Sequence, residues 1–500
     1  MKNNLTPKED IVPFGQKMAF GAGSLANQLF PAAVGAYMGA MVIVFKMDPY
    51  LAGLLSAIPR FIDAILDPVM GYISDNTRSR WGRRKPYIFV GSIVTSILFI
   101  VMWQVFIQNS EMFNFWYILI VSVFFYIGLT VFAAPLIGLG YEMTPDYNER
   151  TRLMAVSQFL GQFAWMISPW FLYIIYNFYV KPNIGLATGE HFLFDQNNPQ
   201  HCELAAAGTR HLAYFIGGLS LVLGILPALF CKEIDQTHLT GQSKLSFKEL
   251  GANLKHFFKG FGETVKNKQF LRLCGATFMV FNGFQLVASF SVFIIMYYVY
   301  NGMQFVDVST IWIGLFGTVS SIATAFLVIP IVTYMSNKIG KKNAFIVSVL
   351  ISTVGYVLKW WAFNPAHPWM MFLPLPLISF GIGGLFTLMM SMTADVCDLD
   401  ELENGMPRKE ATFGAIYWWM VKLGTSLAVF VGGVVLSAVG FVGGAEVQSH
   451  QTITNLRLAD IIIPAVTGLL AVWIMWRYDI TEKRAKEIRE ELVKRRGNLN

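Results

Sequence analysis

Long apolar segments alternate with short polar ones along nearly the whole chain of 500 residues. A helix that crosses a membrane needs about 20 consecutive, mostly apolar residues. Twelve segments meet this requirement, and they are approximately 18–45, 50–74, 87–107, 114–140, 154–179, 211–231, 270–299, 307–335, 344–363, 369–394, 411–440 and 456–477. The pattern therefore predicts an all-α integral membrane protein with twelve transmembrane helices.

Two polar connections are longer than the others, 180–210 and 232–269. The second follows the sixth span, so it separates two halves of six spans each. The predicted domains are an N-terminal six-helix half over 1–231, a cytoplasmic linker over 232–269, a C-terminal six-helix half over 270–478 and a cytoplasmic tail over 479–500.

Lysine and arginine are concentrated in alternate connections between the spans. They are dense in the loop after the second span, in the linker and in the tail, whereas loops 108–113, 300–306 and 364–368 contain none. Loops rich in these residues stay in the cytoplasm. We therefore expect both termini inside and segment 180–210 outside. A separate expectation is that the protein lies in a plasma membrane, specifically a bacterial inner membrane.

Charged residues make up only 14% of the chain, whereas a soluble domain usually carries about 25%. This deficit excludes an ordinary soluble enzyme, a disordered chain and a nucleic-acid-binding protein, because the net charge of +7 lies in short loops. The sequence contains no Walker loop, nucleophile elbow, metal-ligand cluster or sizeable soluble domain. We therefore expect no enzymatic activity, no cofactor and no bound metal, with the lipid bilayer as the surrounding partner.

A glycine followed by two basic residues occurs at equivalent places in the two halves. Gly82-Arg83-Arg84 follows the second span, and residues 340–342, Gly-Lys-Lys, follow the eighth. The match indicates a duplicated six-helix unit, although any cytoplasmic loop tends to be basic. Such repeats build transporters whose binding site lies near the middle of the bilayer.

The second span carries three ionisable residues, Arg60, Asp63 and Asp67, on one helix face. Each costs about 2.5–3.5 kcal/mol to insert, so each is a functional candidate. Two carboxylates one turn apart can hold a small cation or share a proton. The alternative is that Arg60 pairs with one aspartate and only locks the helix.

Two lysines lie in spans of the second half. Lys422 is near the middle of the eleventh span and is predicted to contact substrate or an aspartate of the second span. Lys359 is near the outer end of the ninth span beside two tryptophans, so we expect its ammonium to extend to the membrane surface.

Uncharged polar residues recur in spans of both halves. Amides beside indole rings suit a neutral polyol, because they donate and accept hydrogen bonds while the rings cover its apolar faces. The alternative is hydrogen bonding between helices, worth under about 1 kcal/mol each. The predicted lining residues are Asn27, Gln28, Gln158, Gln162, Asn282, Gln285 and Trp418.

Charged residues at the inner ends of the first-half helices are predicted to close the cytoplasmic side through ion pairs. The candidates are Asp75 at the end of the second span, Arg83 and Arg84 in the loop that follows, and Glu142 at the end of the fourth. The alternative is that the basic residues signal topology only.

Three stretches resemble signatures of the glycoside–pentoside–hexuronide:cation symporters, a family of the major facilitator superfamily. They are residues 60–86, with the aspartates and the basic loop, residues 135–150, with Glu142, and residues 394–422, with Asp395, Asp398 and Lys422. The resemblance covers essentially the whole chain and implies the major facilitator fold.

The resemblance implies that Asp63, Asp67 and Thr130 bind the coupling cation, and it matches Lys422 to the family's lysine in the eleventh helix. The family pattern has an asparagine where this chain has Leu66. The missing amide oxygen is a ligand that sodium prefers, and an apolar neighbour favours a protonated carboxyl group. The expected coupling ion is H+ or Na+, with the proton favoured.

Gln28, Asn27 and Gln158 stand where the family pattern has an aspartate, a lysine and an arginine, so its galactoside-specifying residues are absent. Such a pocket admits a neutral glycoside and tolerates a uronide, for which Arg60 and Lys422 supply positive charge. The chain is thus interpreted as a cation-coupled symporter, functional as a monomer, that imports a sugar, glycoside or uronide oligosaccharide by alternating access. The alternative is an exporter of drugs or organic anions on the same fold.

Overall fold

The computed structural model describes residues 11–77, 79–144, 147–186, 194–195, 197–233, 262, 266–404 and 410–497. Most of the predicted linker and the side chain of Asp75 lie outside the described part. Twelve helices in that part are long and apolar enough to cross a membrane, which confirms the predicted number of spans.

The first six helices begin and end at well-defined residues. They are α1 (Phe14–Ile43), α2 (Pro49–Asn76), α3 (Lys85–Met102), α4 (Glu111–Glu142), α5 (Tyr147–Ile167) and α6 (Pro199–Phe230). The chain continues α5 through a 3-10 turn (Ser168–Trp170), a short α segment (Phe171–Tyr173), a π-helical segment (Ile174–Val180) and a last α turn (Lys181–Asn183). Pro169 begins this irregular stretch, because proline cannot donate the hydrogen bond that a helix interior requires.

The second set follows the same order. It comprises α7 (Lys268–Ile294), α8 (Val306–Ile322), α9 (Lys341–Ala362), α10 (Leu375–Asn404), α11 (Glu410–Ala438) and α12 (His450–Trp476), with α13 (Glu482–Gly497) in the tail. A π-helical segment (Ile295–Val299) extends α7, while Ala323–Val328 and Ile329–Ile339 extend α8.

The start of α6 differs from the prediction. The helix begins at Pro199, well inside the segment that was predicted to be an external loop, and Cys202 is buried in it rather than lying in a loop. The Arg210 guanidinium donates to Glu203 at 2.8 Å and to the Val105 carbonyl at 3.0 Å. Because these charges are satisfied, polar residues that look like a loop form about three extra helical turns.

The described chain forms two compact units. In the first, α3 packs on α4 so closely that a Cβ added to Gly91 would lie 2.7 Å from the Phe132 nitrogen. In the second, α9 meets α10 in the same way, since a Cβ on Gly355 would lie 2.8 Å from the Ile378 nitrogen. The units comprise Met1–Leu254 with Met303–Gly317 and Val442–Glu446, and Lys255–Gly302 with Thr318–Phe441 and Val447–Asn500.

Candidate cation and substrate site

The α2 helix starts at a capped N-terminus that fixes the register of its charged face. Asp48 accepts a hydrogen bond from the Tyr50 nitrogen at 2.8 Å, and Pro49 occupies the first helical position. An acceptor side chain at the cap satisfies a backbone donor that the helix leaves unpaired, and proline suits that first position.

Asp63 is in hydrogen-bond contact with Thr130 of α4, as the predicted cation site requires. The Thr130 hydroxyl lies 2.6 Å from Asp63 Oδ1, and the two residues are 2% and 7% exposed. The same hydroxyl lies 3.0 Å from the Tyr126 carbonyl oxygen of its own helix. A hydroxyl has one proton to donate, and the shorter distance and the carboxylate charge favour Asp63.

Asp67 and Leu66 lie on the next turn of α2, and both are partly buried. Lys422 is partly buried on α11. The pairing of Lys422 with an α2 aspartate stays a prediction.

Arg60 does not pair with either aspartate among the ion pairs of the described residues. Its Nε instead donates to the Tyr126 hydroxyl at 3.0 Å. The alternative in which Arg60 simply locks one aspartate is therefore wrong for this structure. Tyr126 was missed by the sequence analysis, because a tyrosine in an apolar span gives no pattern that separates it from core residues.

In the first unit the predicted substrate residues meet between α1 and α5. The Trp165 indole nitrogen donates to Gln28 Oε1 at 2.8 Å. A Cβ on Gly161 would come within 3.2 Å of the Gln28 amide, so a side chain there would crowd it. Asn27 is partly buried, whereas Gln158 and Gln162 are exposed along α5.

In the second unit Asn282 is 8% exposed and donates to the Phe278 carbonyl of its own helix at 2.7 Å. A Cβ on Gly424 would lie 3.2 Å from the Asn282 amide nitrogen, which places that amide against α11. Gln285 is partly buried. Trp418 is 46% exposed and stacks on Phe386, with ring centroids 6.4 Å apart. That these residues line one cavity with Gln28 stays a prediction.

The predicted closing residues of the first unit that are described, in the loop after α2 and at the end of α4, lie together. Arg83 and Arg84 both contact Glu142 Oε1, the latter at 2.9 Å. Glu233, which follows α6 and was not predicted, accepts a hydrogen bond from the Arg83 backbone nitrogen at 3.1 Å. Gly82 has a positive φ of 103°, which favours glycine in the turn before them.

The second unit repeats this arrangement in part, since Lys341 contacts an acidic residue whereas Lys342 donates to the Trp476 and Tyr478 carbonyls. Gly340 has a φ of 79°, and the Lys341 ammonium lies 2.5 Å from Asp395 Oδ2 near the end of α10. A Cβ on Gly340 would lie 3.5 Å from the Cβ of Glu482, which follows α12 as Glu233 follows α6. The shared geometry supports the duplication that the Gly-basic-basic pattern indicated.

Another buried carboxylate, that of Glu149, binds residues just before and at the start of α1, which we call the N-terminal arm. Glu149 is fully buried, and it accepts from the Val12 backbone nitrogen at 3.0 Å, contacts the Lys17 ammonium at 2.6 Å and contacts Arg152 at 3.3 Å. Burial raises the pKa of Glu149, but the hydrogen bonds and charges of these partners outweigh it and hold the pKa below its ordinary value.

Lys359 does not extend to the membrane surface as expected. Its ammonium lies 2.5 Å from Asp460 Oδ2 of α12 and 3.3 Å from the Ser291 hydroxyl of α7, and the side chains of Lys359 and Asp460 are 1% and 3% exposed. The sequence analysis overlooked Asp460. Its presence in a predicted span, three residues after Arg457, was the signal, since such a charge requires a partner.

Comparison with known proteins identifies relatives over nearly the full length. The family model described as MFS/sugar transport protein matches residues 19–482. The glucuronide carrier protein homolog of Escherichia coli (strain K12) is 25% identical, covering 96% of this chain and 95% of that protein. The isoprimeverose transporter of Lactiplantibacillus pentosus is 23% identical, covering 94% of this chain and 89% of that protein.

Among solved structures, the crystal structure of the nucleoside transporter NupG matches with a TM-score of 0.62 at 14% identity, covering 93% of this chain and all of that one. At this identity the likeness shows the fold alone, and it confirms the predicted major facilitator fold. The names of the two relatives, a glucuronide carrier protein homolog and an isoprimeverose transporter, agree with the resemblance found in the three sequence stretches. This multi-pass membrane protein belongs to the MFS/sugar transport protein family.

Proposed function

We propose that the protein is a cation-coupled symporter that imports a sugar, glycoside or uronide oligosaccharide by alternating access. The observation that carries this proposal is the buried contact between Asp63 and Thr130, at 2.6 Å, one helical turn from a second carboxylate. A carboxylate and a hydroxyl oxygen are hard ligands for a small cation, and the carboxylate is equally able to take up a proton. Whether it binds a metal cation or a proton, such a site can take up the ion and release it in each transport cycle.

Leu66 supports the proton as the coupling ion. It lies beside Asp67 where an amide would serve sodium, and it is partly buried. With two carboxylates and one hydroxyl, a sodium ion would need water or backbone oxygens to complete its ligands. A proton needs one carboxyl group.

The contact between Gln28 and Trp165 supports a carbohydrate substrate. An indole face covers the apolar side of a sugar ring, and the Gln28 amide retains hydrogen-bonding capacity beyond the one bond it accepts. The names of the relatives, a glucuronide carrier homolog and an isoprimeverose transporter, agree with this substrate class. We place the protein in a bacterial inner membrane with both termini cytoplasmic, acting as a single chain.

The test is uptake into proteoliposomes of a panel of labelled sugars, glycosides and uronides, driven separately by a pH gradient and by a sodium gradient. We expect one class of these substrates to accumulate against its concentration gradient, driven by the gradient of one of the two ions. Asp63→Cys and Asp67→Cys should each abolish accumulation. If both variants still accumulate substrate, or no ion gradient drives uptake in the unaltered protein, the proposal is wrong.

A second measurement tests the substrate site. Gln28→Ala should weaken substrate binding by roughly 1–3 kcal/mol, because a sugar hydroxyl loses its partner. Trp165→Phe is the companion variant, since it keeps an aromatic ring, although a smaller one, and removes the indole nitrogen that donates to the Gln28 amide. Unchanged affinity in Gln28→Ala would remove this residue from the site.

A further inference from the structure

The Arg60 guanidinium lies next to the proposed cation site but is held by an uncharged group. Arg60 is three residues before Asp63 on α2, so the two side chains project from the same helix face. Its Nε donates to the hydroxyl of Tyr126, which is 3% exposed on the neighbouring α4. Asp63 takes its hydrogen bond from Thr130 of that same helix, one turn further along.

A carboxylate is the stronger partner for a guanidinium, because a charge-assisted bond is roughly twice as strong as a neutral one. Residues three apart on a helix are within reach of each other. Arg60 could therefore turn to Asp63 if the phenol did not hold it. The α4 helix has no charged residue between its terminal glutamates, so it offers Arg60 no competing carboxylate at this level.

We propose that the Tyr126 hydroxyl is a positioning group that holds the Arg60 guanidinium away from Asp63, so that Arg60 does not compete with the coupling cation for this carboxylate. A guanidinium bound to Asp63 would act as a resident cation and compete with the transported one. The inference rests on the proposed function, since it assigns a role within the coupling site. Tyr126 touches neither substrate nor ion in this role, and it acts through Arg60.

The experiment compares three variants with the unaltered protein: Tyr126→Phe, Arg60→Gln, and the double variant. The ion that drives uptake is identified first in proteoliposomes. The ion concentration that gives half of the maximal thermal stabilisation is then measured on each purified protein in detergent without sugar, so that any role of Arg60 in substrate binding does not enter. Phenylalanine keeps the ring that packs against Phe125, with centroids 5.2 Å apart, and Tyr126→Met replaces it should Tyr126→Phe not fold.

Tyr126→Phe is expected to raise the half-saturating ion concentration at least tenfold. Arg60→Gln and the double variant are expected to need no higher ion concentration than the unaltered protein, because neither contains a guanidinium to occupy Asp63 or to repel the cation. Rescue of the tyrosine variant by loss of Arg60 is a result that a merely structural role of the hydroxyl would not produce.

Two results would overturn the inference while leaving the symporter proposal intact. One is ion-driven uptake in the unaltered protein with an unchanged half-saturating concentration in Tyr126→Phe. The other is a double variant whose half-saturating ion concentration is as high as that of Tyr126→Phe alone. If no ion drives uptake in the unaltered protein, the proposed function and this inference both fail.

Discussion

Replacing Thr130 by valine should distinguish the two possible coupling ions, because the sign of its effect differs between them. Valine has nearly the same shape as threonine and keeps the branched Cβ, so the change removes essentially one hydroxyl from a buried contact. Thr130→Ser keeps the hydroxyl and serves as the matched control. Both variants leave the α2 carboxylates in place.

The size of the effect follows from the contact itself. A hydrogen bond to a charged group contributes about 1.5–3 kcal/mol, and both partners here are almost fully buried, so solvent cannot replace the lost donor. At about 1.4 kcal/mol per factor of ten, the ion affinity should change roughly tenfold to a hundredfold.

The half-activating ion concentration is expected to shift in opposite directions for sodium and for the proton. Sodium loses an oxygen ligand in Thr130→Val, so the sodium concentration that half-activates uptake should rise by that factor. For proton coupling, the ionised Asp63 loses its stabilising donor and protonation becomes easier. The proton concentration that half-activates uptake should then fall by the same factor, which moves the midpoint one to two pH units higher.

The assay is initial uptake into proteoliposomes as a function of external sodium at fixed pH and as a function of external pH without sodium. In both series, the ion concentration that half-activates uptake in Thr130→Ser should stay within about threefold of that in the unaltered protein. A midpoint that moves less than twofold in Thr130→Val would refute the assignment of this contact to the cation site. The same holds if serine and valine shift the midpoint equally, since the hydroxyl would then not be the cause.

Two further predictions concern stability. Lys359→Met or Asp460→Leu alone should lower the melting temperature in detergent, because each leaves an unpaired buried charge that costs about 3–5 kcal/mol. The double variant should recover most of this loss. A double variant that melts no higher than the less stable single variant would contradict the prediction. Because the pKa of Glu149 is lowered, its stabilising contacts are complete above the unfolded value, near pH 4.5, and are lost as the pH falls through the folded value. A spin label at Ile11 should therefore become mobile only at a pH below 4.5, the ordinary pKa of a glutamate, and should already be mobile at pH 7 in Glu149→Gln. Equal mobility under all these conditions would show that this carboxylate does not hold the N-terminal residues.

Hydropathy was sufficient to predict the twelve spans, because every backbone polar group in a bilayer must be satisfied within a helix and only long apolar segments can do this. It failed at α6, where the first turns contain Glu203 and Arg210. A window average counts such residues as polar, although a salt bridge and a carbonyl partner satisfy them in the folded chain.

The partners of the intramembrane charges were harder to predict than their presence. Helical spacing made Asp63 the natural partner of Arg60, whereas the actual partner, Tyr126, is 66 residues away on another helix. Lys359 looked like an interfacial residue because its neighbours in sequence are tryptophans. Its partner Asp460 lies on a helix whose packing against α9 cannot be inferred from one sequence.

The duplicated contacts near Gly82 and Gly340 have a consequence for biogenesis. Arg83, Arg84 and Lys341 are among the basic residues that we predict to orient the spans during insertion, and Arg83 and Arg84 are synthesised before α4, as Lys341 is before α10. In the folded protein the same side chains bind Glu142 and Asp395. Neutralising a basic residue therefore alters both how the nascent chain enters the bilayer and how the finished helices meet. Acidic residues contribute little to orientation, so Glu142→Gln and Asp395→Asn weaken the contacts while leaving the insertion signals unchanged.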